Sequence, residues 1–439
     1  MEKQDFLTDQ SLPAKALLER YPEYASTSIL DDLRATEYSF LDENGHVYLD
    51  YTGAGLAAQS QHQAHRERMR HAAFGNPHSS NPTSRAATDL VDEARARILR
   101  YFSASPDEYT VIFTPNATGA ARLVGESYPW RRGARLVLTA DNHNSLNGLR
   151  ELARRGKSRT VYVPIADAHE LRTRDADVVA ALSRKTRCSP RAWLSKGNAD
   201  ASRRRGLFAY PAQSNFTGVR HPLSWVRLAQ AHGYDVLLDA AAYLPTARLD
   251  LAALRPEFVM VSWYKLFGTR PASAAWWRAA TRSVGCAGRG SRAARDGAKL
   301  VVCYGPAGVR DRGGTVCFNI LDRHGVVLDE RRVAAESAAA GISLRTGCFC
   351  NPGAGEAALG ITGGILARGR AAAAAASSSS YQDFVGALED GGVPAVGAVR
   401  VSLGIASVAA DVEYLVAFVE ATYRDRASTT TDLAPREGC

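Results

Sequence analysis

Two cysteines separated by a single residue, Cys348 and Cys350, follow Arg345-Thr346-Gly347. The other cysteines are Cys188, Cys286, Cys303, Cys317 and Cys439. An odd number of cysteines in a chain with no visible secretory signal argues against a disulfide framework. One intervening residue is too few for the usual zinc spacing, and no second Cys or His pair with ligand spacing follows, so no metal is expected. A reactive thiol is the chemistry that fits. A second set of polar residues, His143, Asn215, Asp239, Ser262 and Lys265, shares a different regularity: each follows an apolar run within a few positions. A lysine amine held partly out of water has a lowered pKa and serves as nucleophile and base. An aspartate keeps a heteroaromatic nitrogen protonated. Ala117 and Thr118 open a helical stretch, whose free N–H groups favour a phosphate, and the hydroxyls of Thr118 and Ser262 add donors. An amine for an imine, a carboxylate for a ring nitrogen and a phosphate cradle are the requirements of pyridoxal 5'-phosphate (PLP).

Each signal has a plainer meaning taken alone. A lysine after a strand is usually a solvated end, an aspartate there a turn or helix cap, His143 a loop residue, and Asn215-Phe216-Thr217-Gly218 a turn. The weight lies in their common placement, which depends on the elements that carry them. Apolar runs at 110–113, 135–138, 160–163, 207–210, 235–238 and 258–261 read as buried strands. Helical stretches such as 84–102, with apolar Leu90, Val91, Ala94 and Ile98, and 226–232 lie between them. Continuous apolar strands alternating with helices predict an α/β fold with a mostly parallel sheet covered on both faces. The carboxyl ends of such strands line one crevice. Segments 315–321 and 399–403 predict further strands, and 411–422 a closing helix with Asp411 near its N-terminus. Residues 183–205, 269–299 and 362–380 are biased in composition and read as loops or disordered insertions.

At 439 residues the chain is long enough for two or three domains. Its 46% hydrophobic and 23% charged residues are a globular balance. No apolar run approaches the ~20 residues of a bilayer span, so no membrane and a cytoplasmic location are expected. The net charge of +9 is spread along the chain without an aromatic-interleaved basic stripe, so no nucleic acid is expected.

The order T-x-N-A-T at 114–118, D-N-H at 141–143, Q-S-N-F-T-G at 213–218, L-D-A-A-A at 238–242, S-W-Y-K-L-F-G at 262–268 and L-R-T-G-C-F-C-N-P-G at 344–353 resembles the class V aminotransferase (NifS-like) family. It is most similar to the cysteine desulfurase domain of molybdenum cofactor sulfurases. The likeness covers roughly 30–268 and 300–425, and its last two motifs are the specific ones.

The resemblance implies a type I PLP-dependent transferase fold with a smaller α+β domain. It divides the chain into an N-terminal segment (1–45) packing with the small domain, a large PLP-binding domain (46–300), a small domain carrying the cysteine loop (301–425) and a disordered tail (426–439). It implies that Lys265 holds the cofactor as a Schiff base, Asp239 pairs with the pyridinium nitrogen and His143 stacks on the ring and helps move protons. Asn215 would sit near the phenolic oxygen, Ala117, Thr118 and Ser262 at the phosphate, and Arg400 at the substrate carboxylate. Cys350, preferred to Cys348 from its place in the related R-T-G-x-x-C pattern, would accept sulfur as a persulfide. The implied reaction takes L-cysteine to L-alanine, with a sulfur-acceptor protein or the molybdenum cofactor downstream and a homodimer as the working form. The departures are Ala242, where simpler desulfurases carry Gln, and the stretch after Gly268. There a family Pro-Thr-Gly turn and further sheet give way to Arg270-Pro271-Ala272-Ser273 and a short biased run, in the composition of a GC-rich gene read out of frame. Two other readings stay open: a different class V lyase or aminotransferase with bystander cysteines, and a catalytically impaired scaffold.

Overall fold

The computed structural model describes residues 21–427, except 78, 80, 168, 184–205, 269–298 and 376–380, together with residues 19 and 433. The expectations for 183–205 and 269–299, for the start of the N-terminal segment and for the tail therefore fall almost wholly outside the described residues.

Among the described residues the strands are β1 (Val47–Tyr48), β2 (Arg135–Thr139), β3 (Arg159–Val163), β4 (Gly206–Pro211), β5 (Tyr234–Asp239), β6 (Phe258–Met260), β7 (Val301–Tyr304), β8 (Thr315–Ile320), β9 (Ile342–Ser343), β10 (Arg345–Gly347) and β11 (Ala398–Ser402). β2 to β6 form one parallel sheet in the order β3-β2-β4-β5-β6. Its apolar strands alternate inward on two faces. Val137, Phe208, Tyr210, Val236 and Leu238 join one buried cluster. Leu136, Leu138, Leu207, Ala209, Leu237 and Met260 join another. Both faces are covered, which is why these runs are apolar at every position rather than at alternate ones. Each Val, Leu, Phe or Met side chain among these contributes about 1.5–3 kcal/mol when taken from water. The chain leaves β2 for β3 on one side and returns to β4 on the other. The carboxyl ends of β2 and β4 thus flank the point where strand order reverses, the usual crevice of an open α/β sheet.

The second sheet is antiparallel, in the order β10-β11-β8-β7, and its register sets Arg345 opposite Arg400. β1 pairs in parallel with β9, and Asp50 bridges to Ser402 at the end of β11. The N-terminal segment reaches this region through Arg34, which donates to the Ala406 carbonyl at 2.7 Å and pairs with Asp411 at 3.3 Å. Asp411 in turn accepts the Val408 N–H at 2.9 Å at the start of the Ala409–Tyr423 helix, where negative charge is favoured.

Two expectations are corrected. Residues 110–113 form no strand, and Ile112 is 63% exposed. β-branched composition alone does not make a strand without a neighbour to take up the backbone groups, and no described strand pairs with this run. Residues 363–375 form a helix, not a loop. Alanine is the strongest helix former, so that part of the run has high local propensity despite its low complexity.

Candidate active site

The cleft at the carboxyl ends of the parallel strands is lined by residues that end or follow each strand of that sheet but β3. Asn116, Ala117 and Thr118 come from the start of the Ala117–Ser127 helix, and His143 and Ser145 follow β2. Gln213 and Asn215 follow β4, Asp239, Ala241 and Ala242 end or follow β5, and Ser262, Tyr264 and Lys265 follow β6. Asn116 caps its helix by accepting the Gly119 N–H at 2.9 Å, which turns the helix start toward the cleft. The sequence-predicted residues Ala117, Thr118, His143, Asn215, Asp239, Ser262 and Lys265 are brought together here.

Lys265 lies in the short Trp263–Phe267 helix, whose turn is seated against the 53–58 segment: Gly55 donates to the Tyr264 carbonyl at 3.0 Å. A Cβ on Gly55 would stand 2.6 Å from the Lys265 carbonyl oxygen, so the close approach requires glycine. The residue as a whole is half-buried, but its amine is enclosed. That enclosure lowers its pKa to about 8, with Asp239 working against the shift and Arg400 adding to it. Asp239 is buried and accepts the Ala241 N–H at 2.9 Å. Burial raises its pKa, while the Ala241 N–H and the nearby Lys265 charge pull it back down. The Ser262 hydroxyl is buried without a hydrogen-bond partner. An orphaned hydroxyl beside a helix start and an enclosed amine is costly unless a ligand completes it.

His143 caps the helical turn that follows it, its Nδ1 accepting the Ser145 N–H at 3.1 Å. A backbone donor aimed at Nδ1 leaves no room for a proton there, so the neutral ring carries its proton on Nε2. Burial lowers the His143 pKa to about 4, helped by the Lys265 and Arg400 charges. Ser145, which the sequence reading did not single out, links two expected residues: its Oγ is 2.9 Å from His143 Nδ1 and 2.7 Å from Thr118 Oγ1. Two residues before His143, Asp141 forms a buried pair with His221 at 2.7 Å, also missed in the sequence. Burial pushes the Asp141 carboxyl up, but the His221 charge and hydrogen bond, with Thr139, outweigh it and hold it low. The His221 ring stacks on Trp225 with centroids 5.1 Å apart. The sequence signals for this pair were that Asp141 opens the D-N-H motif and that His221 lies just after Q-S-N-F-T-G.

Arg400 is not among the cleft-lining residues. It is buried, and its NH2 group donates to Asp50 and its NH1 group to the Asn215 carbonyl, each at 3.0 Å. Its guanidinium lies 4.7 Å from the centroid of the Phe349 ring. Its Nε is buried without a partner. Asp50 also holds Arg345, through Nε at 2.9 Å.

The cysteine loop lies directly against this cleft. Cys350 is a free, exposed thiol. Cys348 is disulfide-bonded and so is not a free thiol. Cys350 does not line the cleft, but its carbonyl accepts the Asn144 N–H at 2.8 Å, next to His143. Asn215 spends both ends of its amide on the loop. Its Nδ2 donates to the Phe349 carbonyl at 2.8 Å, and its Oδ1 accepts from Asn351 at 2.9 Å. Phe349 and Cys350 have φ of 55° and 52°. Left-handed backbone at consecutive non-glycine residues costs about 1–2 kcal/mol each and persists only where surrounding contacts fix it.

Residues 47–189 match the family model described as aminotransferase class-V. The chain belongs to the class V aminotransferase family. The molybdenum cofactor sulfurase of Homo sapiens is 30% identical over 480 residues, covering 89% of this chain and 51% of that protein. The molybdenum cofactor sulfurase of Solanum lycopersicum is 28% identical over 511 residues, covering 95% and 60%. The chain thus spans about half the length of the curated relatives it matches. Among solved structures, the cysteine desulfurase of Thermococcus onnurineus NA1 superposes with a TM-score of 0.62 at 17% identity, covering 90% of this chain and 98% of that one. The Escherichia coli cysteine desulfurase CsdA gives 0.58 at 16%, covering 89% and 98%. At such identities the likeness is one of fold, and the fold is the NifS-like class V arrangement: a mostly parallel central sheet with flanking helices. No described helix is long and apolar enough to cross a membrane.

Proposed function

We propose that the chain is a PLP-dependent cysteine desulfurase of the molybdenum cofactor sulfurase type, converting L-cysteine to L-alanine and holding the sulfur on Cys350. The observation that carries this reading is the joining of two motifs: the Cys350 carbonyl is bonded to the residue after His143, at the rim of a cleft that contains Lys265 and Asp239. The donor set fits PLP. Lys265 offers an enclosed amine, Asp239 a buried carboxylate, Ser262 an orphaned buried hydroxyl, and Ala117 and Thr118 a helix start. When bound, PLP would supply an electron sink that acidifies the Cα–H of an amino acid.

The chain's own residues have distinct tasks. Lys265 Nζ, with its pKa near 8, is substantially a neutral amine at slightly alkaline pH and can take a proton. His143 stays uncharged at neutral pH and can hold or give a proton only at Nε2. The buried guanidinium of Arg400 draws anions toward the cleft, and a substrate carboxylate would have to reach its unpartnered Nε beside Asn215. Cys350 Sγ forms a bond to the substrate sulfur as the substrate's Cβ–S bond breaks. The sum is cysteine plus enzyme thiol giving alanine plus enzyme persulfide. A protein or the molybdenum cofactor would then accept the sulfur. A homodimer is consistent with the exposed Ile112 and Phe113 ahead of the cleft helix and Leu123 within it.

The test is a visible spectrum of the purified protein with and without borohydride, followed by assays of a Cys350→Ala variant. The expected variant keeps cofactor absorbance and loses sulfide release and alanine formation. Unchanged alanine formation in Cys350→Ala rules out the persulfide role. A protein that never gains an absorbance band with added PLP rules out the cofactor.

A further inference from the structure

We propose that Asn351 is a positioning residue that docks the Cys350 turn onto the cleft, and that delivery of the thiol depends on its side-chain amide. This rests on the reading of Cys350 as the sulfur acceptor. The Asn351 side chain is wholly buried and uses every part of its amide across two domains' worth of sequence. Its Nδ2 donates to the Asp141 carbonyl at 2.7 Å and to Asn215 Oδ1 at 2.9 Å. Its Oδ1 accepts the Ala354 N–H at 3.2 Å, capping the Pro352–Ala358 helix. One residue thus ties the end of β2, the loop after β4 and the helix that leaves the cysteine turn.

The surroundings explain why a tie is needed. The backbone has positive φ at Gly347, Phe349 and Cys350, a turn that does not hold itself. Asn144 and Asn215 grip the Cys350 and Phe349 carbonyls from the large sheet. Gly353 lies so close to the same surface that a Cβ there would come within 2.1 Å of the Ala140 carbonyl oxygen. Cys350 itself is exposed and contributes no buried anchor. The position of its sulfur relative to His143 and Lys265 is therefore set by neighbours, and among these the Asn351 amide bonds to both the loop after β2 and the loop after β4.

Asn351→Asp separates the two functions of the amide. It retains an oxygen to cap Ala354 and removes both Nδ2 donors, leaving oxygens facing the Asp141 carbonyl and Asn215 Oδ1. Asn351→Ser does the same without adding a charge and serves if the aspartate variant does not fold. Three measurements apply to the full chain loaded with PLP: amide hydrogen exchange of peptides covering 141–150 and 345–356, iodoacetamide alkylation of Cys350 by peptide mass spectrometry, and sulfide release from L-cysteine. The expected result is faster exchange confined to those peptides, and Cys350 alkylated at least as fast as before. Sulfide release falls in kcat by about tenfold or more at unchanged KM and unchanged cofactor absorbance, as misplacement of a reacting group does. Unchanged exchange, or unchanged kcat with faster exchange, overturns the positioning role while leaving the desulfurase reading intact. A wild-type protein that binds PLP and releases no sulfide overturns the desulfurase reading itself, and the positioning role with it.

Discussion

Replacing His221 with alanine tests how the floor of the site is held. The His221 and Asp141 side chains are 1% and 2% exposed, and their contact is 2.7 Å. Removing one member of such a pair leaves an unpaired charge in the interior, a loss of about 3–5 kcal/mol. That is a large fraction of an ordinary stability of about 5–15 kcal/mol. The pH dependence gives the sharper test. In the wild type the Asp141 carboxyl is held low. Its contribution to stability is therefore full above the unfolded carboxylate value of about 3.9 and is lost as pH falls through the folded value. In His221→Ala the two His221 effects vanish, and burial, the largest influence on this carboxyl, remains against only the smaller pull of Thr139 and the backbone, so the folded value is expected to rise above the unfolded one. The variant should then recover stability relative to wild type as acid protonates the stranded carboxylate. Urea midpoints for both proteins, followed by tryptophan fluorescence from pH 8 to pH 5, read this directly. A deficit that grows with acid, or one below about 1 kcal/mol at pH 7.5, refutes the reasoning.

Other outcomes follow from single contacts. Covalent attachment of PLP to Lys265 should speed up with pH to about 8 and then level off, and Lys265→Arg should yield no borohydride-trapped adduct by mass spectrometry. Asp50→Ala leaves the buried Arg400 without its carboxylate and should cost about 3 kcal/mol or more by denaturant unfolding. Arg345→Ala, on the same carboxylate but with its side chain 49% exposed, should cost no more than about 1 kcal/mol. Gly55→Ala drives a Cβ into the Lys265 carbonyl and should destabilise by about 1–3 kcal/mol while slowing PLP attachment, read as absorbance against time.

What could be read in the sequence was what repeats locally. Leu136–Leu138, Leu207–Tyr210 and Val236–Leu238 are apolar without interruption because each strand is covered twice, so the parallel sheet and the residues at its carboxyl ends could be found in advance. His143, Asp239, Ser262 and Lys265 were legible for that reason. Ile112 and Phe113 misled because composition cannot reveal whether a neighbouring strand exists to receive them. The helix at 363–375 was missed because low complexity was given more weight than alanine's propensity. His221 and Asn351 escaped because each acts through a partner far away in sequence, and no spacing announces a contact across 80 or 210 residues; Ser145 escaped because a lone serine after a loop histidine carries no signal of its own.

The pairing of β10 with β11 sets Arg345 across from Arg400 and turns both guanidinium groups toward Asp50. Neighbouring positions of a strand face opposite ways. A single residue gained or lost within β11 would present Val399 or Val401 to that carboxylate and rotate Arg400 out of the interior, and one within β10 would turn Arg345 away from it. Length variation is thus tolerable in the connections around this ribbon but not inside it.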